Sequence, residues 1–561
     1  MDLSSILHRS LSEMAYSPAP GHFAFRLRAK AGDLKEAYLL YGDTAYPAPV
    51  VKMERAKMEK TFSTSLYDYL EAEIATPLVR LVYAFELLFR DGGRLYYYGE
   101  GFHEELSTER NDLFKFPYRF RSLGHQTPKW LSEAVFYNIF PDSFVAPEVE
   151  PSSKRNAHHG GTLLAIEQSL DYILSLGCNA IYLNPIFKAM SYHRYDTEDY
   201  LQIDPSFGSE EDFARLVGKA HARGMHIVLD GVFNHCGPSF FAFVDVLERQ
   251  EASPYRDWFY SLSFPVKYPP EKGKRPPYAT FGYEAHMPKL DLNNEEVRAY
   301  FLKVMAKWVG EFKVDGFRMD TADECSPSFW RFFSSALKKL NPEACLLAET
   351  WQNPRPMLLE EGFDGAMDYD FRRAVLAYLS PGGKSDDLLE RTAYLFNRIP
   401  SAYYGGMLSL LSTHDVPRFL TLMGEDEGRM ELAYVLQFTY PGPVNLLYGD
   451  ERGFTGLRED EYRRPMEWGG EIKFKGLLYA LSSLRKAYPS LRGKGFKALH
   501  SENGGLFAYL RSGEGKAVAV YLNASEESRM VEPLPGKVLL SKGFAKGKLA
   551  SKGYLLLEPV E

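Results

Sequence analysis

The chain has 561 residues, of which 45% are hydrophobic, 25% charged and 14% aromatic, and its formal net charge is −8. At about 150 residues per domain, this length predicts three or four globular domains. The negative charge and the absence of a Lys/Arg block argue against a nucleic-acid-binding protein, because phosphate contacts need a concentrated basic face.

The N-terminal segment and the cysteines bear on where the protein resides. The N-terminus lacks the basic start and sustained apolar core of a signal peptide, and no apolar run reaches the ~18 residues of a membrane span. The four cysteines are scattered without C-x-x-C spacing, which indicates neither a zinc site nor a redox pair. We therefore expect a cytoplasmic protein with no membrane partner and no nucleic-acid partner.

The first segment, residues 1–122, has the alternation of antiparallel strands. Phe23, Phe25 and Leu27 would face one side of a strand, with arginines on the other side. Asp91-Gly92-Gly93 separates two later strand-like runs and is a good hairpin turn, because glycine permits positive φ. We interpret this segment as an N-terminal β-sandwich.

From about residue 130, short apolar runs alternate with helical stretches, which is β/α alternation. One such stretch starts with Ser209 and Asp212 at capping-box spacing and ends at Gly224. The eight candidate strands are 134–140, 180–185, 226–232, 316–320, 345–350, 365–369, 408–415 and 444–451. This pattern predicts a (β/α)8 TIM barrel over residues 123–487, with an open doubly wound sheet as the alternative.

Two further segments complete the predicted domain organisation. The stretch of about 238–287, after the third strand, is rich in Tyr, Phe and Pro and too long for an ordinary loop, so it predicts an inserted subdomain. Residues 488–561 return to short alternating runs with glycine-rich turns. We expect a C-terminal β-sandwich there.

Acidic and imidazole side chains fall at the ends of the predicted strands, where a barrel places its active site. They are Asp230, Asp320, Glu349, Asp368, His414, Asp415 and Asp450. Asp320 and Glu349 end neighbouring strands, which lie ~4.8 Å apart, so their carboxyls can approach the ~5–5.5 Å of a retaining glycosidase pair. Arg318 shares the inward face of its strand with Asp320 and should keep that carboxylate ionised.

Other polar residues on the same face could bind a sugar. His193 and Tyr195 follow the second predicted strand and His235 follows the third, where imidazoles can hydrogen-bond hydroxyls and Tyr can stack. Asp415 could hold sugar hydroxyls, and Trp351 close to Glu349 could raise the pKa of that acid by desolvation. Any one of these residues alone would more often be structural, but their coincidence at one barrel face favours a catalytic site.

Four segments together resemble the conserved regions of the α-amylase family of glycoside hydrolases. They are LDGVFNHCG (229–237), GFRMDTADE (316–324), LLAETW (346–351) and LLSTHDVPRF (410–419). The string MPKLD (287–291) and an N-terminal module ending in FKFPYRF are similar to the cyclomaltodextrinase, neopullulanase and maltogenic amylase branch. The resemblance covers nearly the whole chain.

The resemblance implies Asp320 as nucleophile, Glu349 as general acid/base and Asp415 as transition-state stabiliser. The residues it places around the sugar are Tyr195, His235, Arg318, His414 and Arg463. In the segment that contains Arg463, Glu459 replaces the usual Asp. Glu324 and Trp351 would lie near the acceptor side.

The resemblance also bears on metal and partners. Calcium ligands of the branch look lost, since the chain has IFPDSFVAPEVEP and Gly160-Gly161-Thr162, so no metal or other cofactor is expected. The N-terminal module implies a homodimer that walls off the active site and favours small or cyclic substrates.

The leading hypothesis is a retaining hydrolase of α-1,4-glucosidic bonds in cyclodextrins and maltooligosaccharides, with pullulan and starch as further substrates. A transglycosylase is the nearest alternative, because a sugar can intercept the covalent intermediate instead of water. A catalytically silent glucan-binding protein is an alternative of another class, against which the intact acidic trio speaks.

Overall fold

The computed structural model describes residues 1–99, 101–117, 127–150, 158–501 and 505–560. The chain divides into two compact units: Met1–Gln126 with Arg373–Tyr404 and Tyr488–Glu561, and Thr127–Arg372 with Gly405–Ala487. The predicted boundary between residues 122 and 123 lies outside the described residues. The segmentation into 1–122, 123–487 and 488–561 therefore stays a prediction.

The N-terminal region is a two-sheet antiparallel structure, which confirms the predicted sandwich. Its strands are β1 (Ala15–Ala19), β2 (His22–Lys30), β3 (Leu34–Asp43), β4 (Glu54–Lys57), β5 (Glu59–Ser63), β6 (Tyr67–Ala75), β7 (Leu81–Phe89), β8 (Arg94–Tyr98), β9 (Gly101–His103) and β10 (Phe114–Phe116). One sheet has the order β1-β2-β6-β5, and the other β4-β3-β7-β8-β9 with β10 on β7. Gly92 has φ +91° in the turn between β7 and β8, as the glycine pair predicted.

Strand β2 shows why this region folds as it does. Phe23, Phe25 and Leu27 alternate into the core between the sheets. On the other face Arg26 is also buried, at 4% exposure, because its Nε donates to Glu71 on β6 at 2.6 Å. The second face of β2 is therefore not a solvent face, as simple alternation would have it.

The second unit is a closed parallel barrel, as predicted. Its region contains β11 (Val135–Ile139), β12 (Ala180–Leu183), β13 (Phe187–Ala189), β14 (Thr197–Ile203), β15 (His226–Gly231), β16 (Gly316–Met319), β17 (Cys345–Ala348), β18 (Gly365–Asp368), β19 (Met407–Leu410) and β20 (Val444–Leu447). The barrel order is β11-β12-β15-β16-β17-β18-β19-β20, and β13 pairs with β14 as a separate hairpin. All eight predicted strands are thus confirmed.

Helices occupy the connections between the barrel strands and other parts of the chain. They are α1 (Lys129–Glu133), α2 (Leu163–Gln168), α3 (Leu170–Ser175), α4 (Glu210–His221), α5 (Phe241–Arg249), α6 (Glu295–Met305), α7 (Pro327–Leu340), α8 (Tyr369–Leu379), α9 (Ser385–Asn397), α10 (Phe419–Leu422), α11 (Glu427–Thr439), α12 (Glu459–Tyr462) and α13 (Lys475–Ala487). Helix α4 begins with the predicted capping box of Ser209 and Asp212, and it buries Phe213 and Leu216. No helix of the described residues is both long and apolar enough to cross a membrane.

The C-terminal sheet domain is also present. Its strands are β21 (Gly495–Ser501), β22 (Leu506–Ser512), β23 (Val518–Asn523), β24 (Arg529–Met530), β25 (Gly536–Ala545) and β26 (Lys548–Pro559). The strands join in one sheet of order β21-β22-β23-β26-β24, with β25 on β26. Alternate residues such as Leu506, Ala519 and Leu555 form its core.

The register of the parallel strands sets the height of the residues that follow them. Asp230 pairs with Arg318, and Met319 pairs with Ala348. At the start of β16, Gly316 has φ +151°, and a Cβ there would lie 2.2 Å from the carbonyl oxygen of Cys345. Glycine at this position allows β16 and β17 to approach closely enough for the ladder that aligns their far ends.

Candidate active site

Asp320 and Glu349 are the first residues beyond β16 and β17. Because Met319 pairs with Ala348, the two acidic residues lie at the same level of the barrel. The Asp320 amide donates to the Gly231 carbonyl at 3.1 Å, and the Glu349 amide donates to the Met319 carbonyl at 3.0 Å. Backbone pairing therefore fixes both carboxylates at the carboxyl end of the barrel, where the sequence predicted them.

Arg318 connects the acidic residues of the site. Its Nη1 lies 2.7 Å from Oδ1 of Asp230 and 3.1 Å from Oδ1 of Asp320. Its Nη2 lies 2.9 Å from Oε1 of Glu349 and 3.9 Å from Oδ2 of Asp415. The contact with Glu349 is an ion pair without hydrogen-bond alignment, and Nη2 has no hydrogen-bond partner among the described residues. One buried guanidinium thus faces four carboxylates.

Asp230 serves to position its neighbours and does not line the cavity. Its side chain is completely buried. Beside Arg318 on Oδ1, its Oδ2 accepts from Tyr182 Oη at 2.7 Å, Tyr195 Oη at 2.9 Å and Asn184 Nδ2 at 3.3 Å. With its oxygens used in this way, Asp230 orients Arg318 and Tyr195 from below the site.

Asp415 contacts both an imidazole and a guanidinium. Its Oδ2 lies 2.9 Å from Nε2 of His414, and its Oδ1 accepts from Nη2 of Arg463 at 3.2 Å. Burial raises the pKa of Asp415, but His414, Arg463 and Arg318 together outweigh burial and hold that pKa well below its usual range. Asp415 is therefore a fixed negative charge.

Asp320 and Glu349 differ from Asp415 in their titration. Burial first, and the charge of Glu349 second, raise the pKa of Asp320 well above its usual range, against the opposing effect of Arg318. Burial also raises the pKa of Glu349. The sequence argument that Arg318 keeps Asp320 ionised omitted burial and the neighbouring acid. Because the two acids are neighbours, their titration belongs to the pair, and a single proton shared between them suffices for one to act as an acid.

Two hydrogen bonds hold the Glu349 carboxylate, in addition to its ion pair with Arg318. Oε2 accepts from the Thr321 amide at 2.9 Å, and Oε1 accepts from Trp351 Nε1 at 3.2 Å. Trp351 is 42% exposed and stacks on Tyr369 with ring centroids 4.0 Å apart. Trp351 therefore acts on Glu349 as a hydrogen-bond donor, whereas the sequence argument gave it a desolvating role.

Thr321 is a site residue that sequence reasoning missed. Besides its amide contact, its Oγ1 lies 3.3 Å from Oδ2 of Asp320. Its φ is +41°, a conformation that β-branched residues rarely adopt. The strained turn points the amide at Glu349. The position directly after a predicted nucleophile was the signal that could have identified it.

These residues surround an open cavity of about 360 Å³. Its lining consists of His193, Tyr195, His235, Phe281, Met287, Asp320, Thr321, Glu349, Trp351, Asp415, Glu459 and Arg463. Arg318, Asp230 and His414 lie beneath this lining. Sequence reasoning missed Phe281 and Met287, because they come from the long segment between β15 and β16, whose folding no periodicity specifies.

The two histidines that line the cavity are neutral. His235 Nε2 contacts the Tyr195 carbonyl at 3.1 Å, and its ring stacks on Phe281 with centroids 5.1 Å apart. His193 Nδ1 accepts from the Tyr195 amide at 3.1 Å. Burial lowers the pKa of both His193 and His235 to about 3. Neutral imidazoles can donate to and accept from hydroxyl groups without adding charge.

Glu324 lies beside the catalytic cavity. The Nζ of Lys289 donates to the Glu324 carbonyl at 3.0 Å and to its Oε2 at 3.3 Å. Both residues line a second cavity of about 500 Å³, together with Tyr260 and Asn293. Glu324 therefore lines this second cavity and not the catalytic one.

The part of the chain that the structure describes has no group of three His, Cys, Asp or Glu side chains that could hold a metal. Residues 151–157, next to the segment where the family's calcium ligands are expected, lie outside it. Thr162, which follows Gly160-Gly161, uses its Oγ1 to accept from the Ala165 amide at 3.1 Å and caps α2. Its one side-chain oxygen is thus already used by the helix.

Known domain families and proteins match this chain over nearly its whole length. Residues 138–476 match the alpha amylase catalytic domain, and residues 1–119 match the alpha amylase N-terminal ig-like domain. A cyclomaltodextrinase of Geobacillus thermopakistaniensis is 36% identical over 555 residues, covering 95% of this chain and 93% of that protein. Neopullulanase 2 of Thermoactinomyces vulgaris is 36% identical over 552 residues, covering 95% and 92%. A solved structure titled cyclomaltodextrinase matches with a TM-score of 0.92 and 31% identity, covering 100% of both chains.

Proposed function

Since this chain belongs to the α-amylase family and is a glycoside hydrolase, we propose that it hydrolyses α-1,4-glucosidic bonds with retention of anomeric configuration. The proposed substrates are cyclodextrins and maltooligosaccharides, with pullulan and starch as further glucans. Relatives named cyclomaltodextrinase and neopullulanase support this substrate class.

One observation carries the proposal. Asp320 and Glu349 follow adjacent strands at one level, and the two terminal nitrogens of Arg318 contact them at 3.1 and 2.9 Å. Two carboxyls held this close to one guanidinium suit a nucleophile and an acid on the same sugar, as a retaining mechanism needs.

In the first step, Oδ of Asp320 attacks the anomeric carbon while the bond to the leaving oxygen breaks. Glu349 gives its proton to that oxygen, so the leaving sugar departs as a neutral alcohol. The products of this step are a glycosyl ester of Asp320 and an ionised Glu349. Arg318 faces both groups and therefore compensates the negative charge as it moves from one carboxyl to the other.

In the second step, water replaces the sugar that has left. Glu349 takes a proton from the water, whose oxygen attacks the anomeric carbon and releases Asp320. Two inversions give net retention, and Glu349 regains its proton. Asp415, kept ionised by His414 and Arg463, stabilises the positive charge that the sugar ring develops in both transition states.

Transfer to a sugar is the second candidate outcome of the same intermediate. The cavity beside the catalytic one favours it, because Tyr260, Asn293 and Glu324 offer an aromatic ring, an amide and a carboxylate to an acceptor sugar. Products made with added glucose separate the two outcomes: transfer products that dominate at low glucose would make transglycosylation the main activity.

We propose further that the enzyme needs no metal and works as a homodimer through its N-terminal domain in the cytoplasm. The helix-capping role of Thr162 supports the first point. The match to the alpha amylase N-terminal domain supports the second. All four cysteines are free and buried, which fits a reducing compartment. A solution mass of the 63.9 kDa chain alone, or activity lost on treatment with a calcium chelator, would contradict these points.

The substrate proposal is tested with initial rates on α-, β- and γ-cyclodextrin, maltotriose, pullulan and soluble starch. We expect cyclodextrins and maltotriose to be cleaved with higher kcat/KM than starch, and the first product to have the α-configuration by proton NMR. A strong preference for starch, or a β-anomer as first product, would refute the proposal.

A further inference from the structure

A hydrogen-bonded bridge crosses the rim of the barrel beside the catalytic cavity. Tyr192 lies in the turn between β13 and β14, and Glu459 is the first residue of α12. The Tyr192 hydroxyl donates to Oε1 of Glu459 at 2.6 Å. The turn follows β12 and α12 follows β20, so the bridge joins loops from the two strands that flank β11 in the barrel.

The bridge is braced from below. Nη1 of Arg463 lies 2.5 Å from Oε1 of Glu459 and 3.2 Å from the Tyr192 hydroxyl. Phe140, directly after β11, has its ring centroid 6.1 Å from that of Tyr192 and 5.1 Å from Cζ of Arg463. The Tyr192–Glu459 bridge is therefore part of a packed cluster, although the Glu459 side chain is itself 47% exposed.

The bridge lies on the side of the barrel towards which the retained part of the substrate extends. In barrel order, β17, which Glu349 directly follows, is opposite β11. The leaving sugar departs on the side of the acid, so the sugars retained on Asp320 extend towards β11. Arg463 contacts Asp415 with its other terminal nitrogen at 3.2 Å, which puts the bridge directly behind the cleavage subsite.

We propose that the Tyr192–Glu459 bridge limits how many glucose units bind on the retained side of the scissile bond. The proposal rests on the function proposed above and adds a determinant of product length. With the bridge closed, the retained half of a linear glucan holds one or two units, and the enzyme releases glucose or maltose from the chain end. Longer retained segments, and cyclic glucans whose ring continues past this point, require the bridge to open.

The test reads the length of the retained half directly. Maltoheptaose is hydrolysed in water enriched in oxygen-18, and early products are sized by mass spectrometry. The label enters at the new reducing end of the retained half, so only products that were bound to Asp320 carry it. Wild-type enzyme should give labelled glucose and maltose as the main labelled products.

Three variants distinguish the contributions of the Tyr192 hydroxyl, the Tyr192 ring and the Glu459 charge to product length. Tyr192→Phe removes only the hydroxyl, and Tyr192→Ala removes the wall itself. In both we expect the labelled fraction of three or more units to rise by roughly three- to tenfold, the range set by the strength of one hydrogen bond. Glu459→Gln is the control, because its amide oxygen can still accept from Tyr192 while the charge beside Arg463 is lost. Its labelled products should keep the wild-type lengths.

Three results would overturn the inference. They are long labelled products from the wild-type enzyme, unchanged lengths in both Tyr192 variants, and lengthening in Glu459→Gln equal to that in Tyr192→Phe. If Tyr192→Ala does not fold, Tyr192→Phe alone decides. Absence of any hydrolysis by the wild-type enzyme would instead refute the proposed function, so the two failures are distinguishable.

Discussion

At the scale of single residues, the charge on each carboxylate of the site is set by a balance between burial and neighbours. Asp415 contacts His414 and Arg463, and these contacts lower its pKa despite burial. Asp320 and Glu349 share one arginine between them, and the pKa of each rises. One buried site can therefore keep Asp415 ionised while it raises the pKa values of the two neighbouring acids.

This balance predicts a shifted pH profile for Asp415→Asn. The charge of Asp415 raises the pKa of Glu349. Without that charge the pKa of Glu349 falls, and Glu349 loses its catalytic proton at a lower pH. We expect kcat/KM on maltotriose, whose leaving sugar needs the proton of Glu349, to drop by roughly 10²–10³, and its basic limb to move to lower pH. A basic limb that stays in place or moves up would contradict this electrostatic account.

The sequence was a better guide to which residues form the site than to the ionisation of their side chains. Strand ends in a period-two pattern pointed to Asp320, Glu349 and Asp415, because a parallel barrel brings such ends together. Phe281 was beyond reach, because it lies in an irregular segment. The place of Thr321 after Asp320 was a usable signal, but the strained turn that directs its amide was not visible in the sequence. For Asp320 the sequence showed the effect of Arg318 but not the opposing effect of burial, because a neighbour in sequence is visible, whereas burial is not.

At the scale of secondary-structure elements, the close contact of β16 with β17 gives a stability prediction. A Cβ at Gly316 would lie 2.2 Å from the Cys345 carbonyl oxygen at a φ of +151°, so the backbone would have to shift. We expect Gly316→Ala to lower the free energy of unfolding by about 2–4 kcal/mol. Because the shift would also move Asp320 relative to Glu349, kcat should fall with it.

Gly218 is the matched control for this substitution. It lies in the middle of α4, where an added Cβ meets no atom within 4 Å. Gly218→Ala should therefore raise the free energy of unfolding by about 0.5–1 kcal/mol through helix propensity. Urea unfolding of both variants checks the pair. Equal effects of the two substitutions would show that the crowding at β16 has no energetic consequence.

Elements were predictable where local periodicity decides them. The eight barrel strands and the capping box of α4 follow from the pattern of apolar and polar residues. The grouping of Arg373–Tyr404, which contains α9, with the terminal sheet domains was not predictable. The apolar face of an amphipathic helix predicts that the helix packs on another surface. The sequence of the helix does not indicate which domain supplies that surface.

At the scale of the whole molecule, stability should depend on pH through an Asp315-centred pair of histidines. Nε2 of His221, on α4, and Nδ1 of His226, on β15, each lie 2.9 Å from an oxygen of Asp315. The bond to Asp315 raises the pKa of His221. Burial alone would raise the pKa of Asp315, but its bonds to both histidines and to the Ile227 amide lower it. Folding therefore favours the charged forms of His221 and Asp315.

The sign of the effect follows from these directions. The contribution of His221 is fully present below its unfolded pKa, about 6.5, and is lost as pH rises through its higher folded pKa. The contribution of Asp315 is lost only as pH falls through its lowered value. His221→Gln keeps a donor but no charge, so it should destabilise the protein by up to about 1 kcal/mol near pH 5.5 and by less near pH 8.5.

Urea midpoints at the two pH values measure this difference. His22→Gln, at an exposed position of β2, is the control and should have the same effect at both pH values. A larger loss of stability for His221→Gln at pH 8.5 than at pH 5.5 would refute the assignment of the charged pair.

The central claim is that Asp320 forms the covalent bond while Glu349 supplies the proton, and α-maltosyl fluoride tests it most directly. Fluoride leaves without a proton, so Glu349→Gln should release a burst of fluoride and accumulate a maltosyl-enzyme, because it lacks the base that activates water. Intact mass and peptide mapping should find the maltosyl group on Asp320. Asp320→Asn should give no burst, and both variants should lose roughly 10³-fold or more in kcat/KM on maltotriose. Full activity of Glu349→Gln on maltotriose, or a label on another residue, would contradict the account.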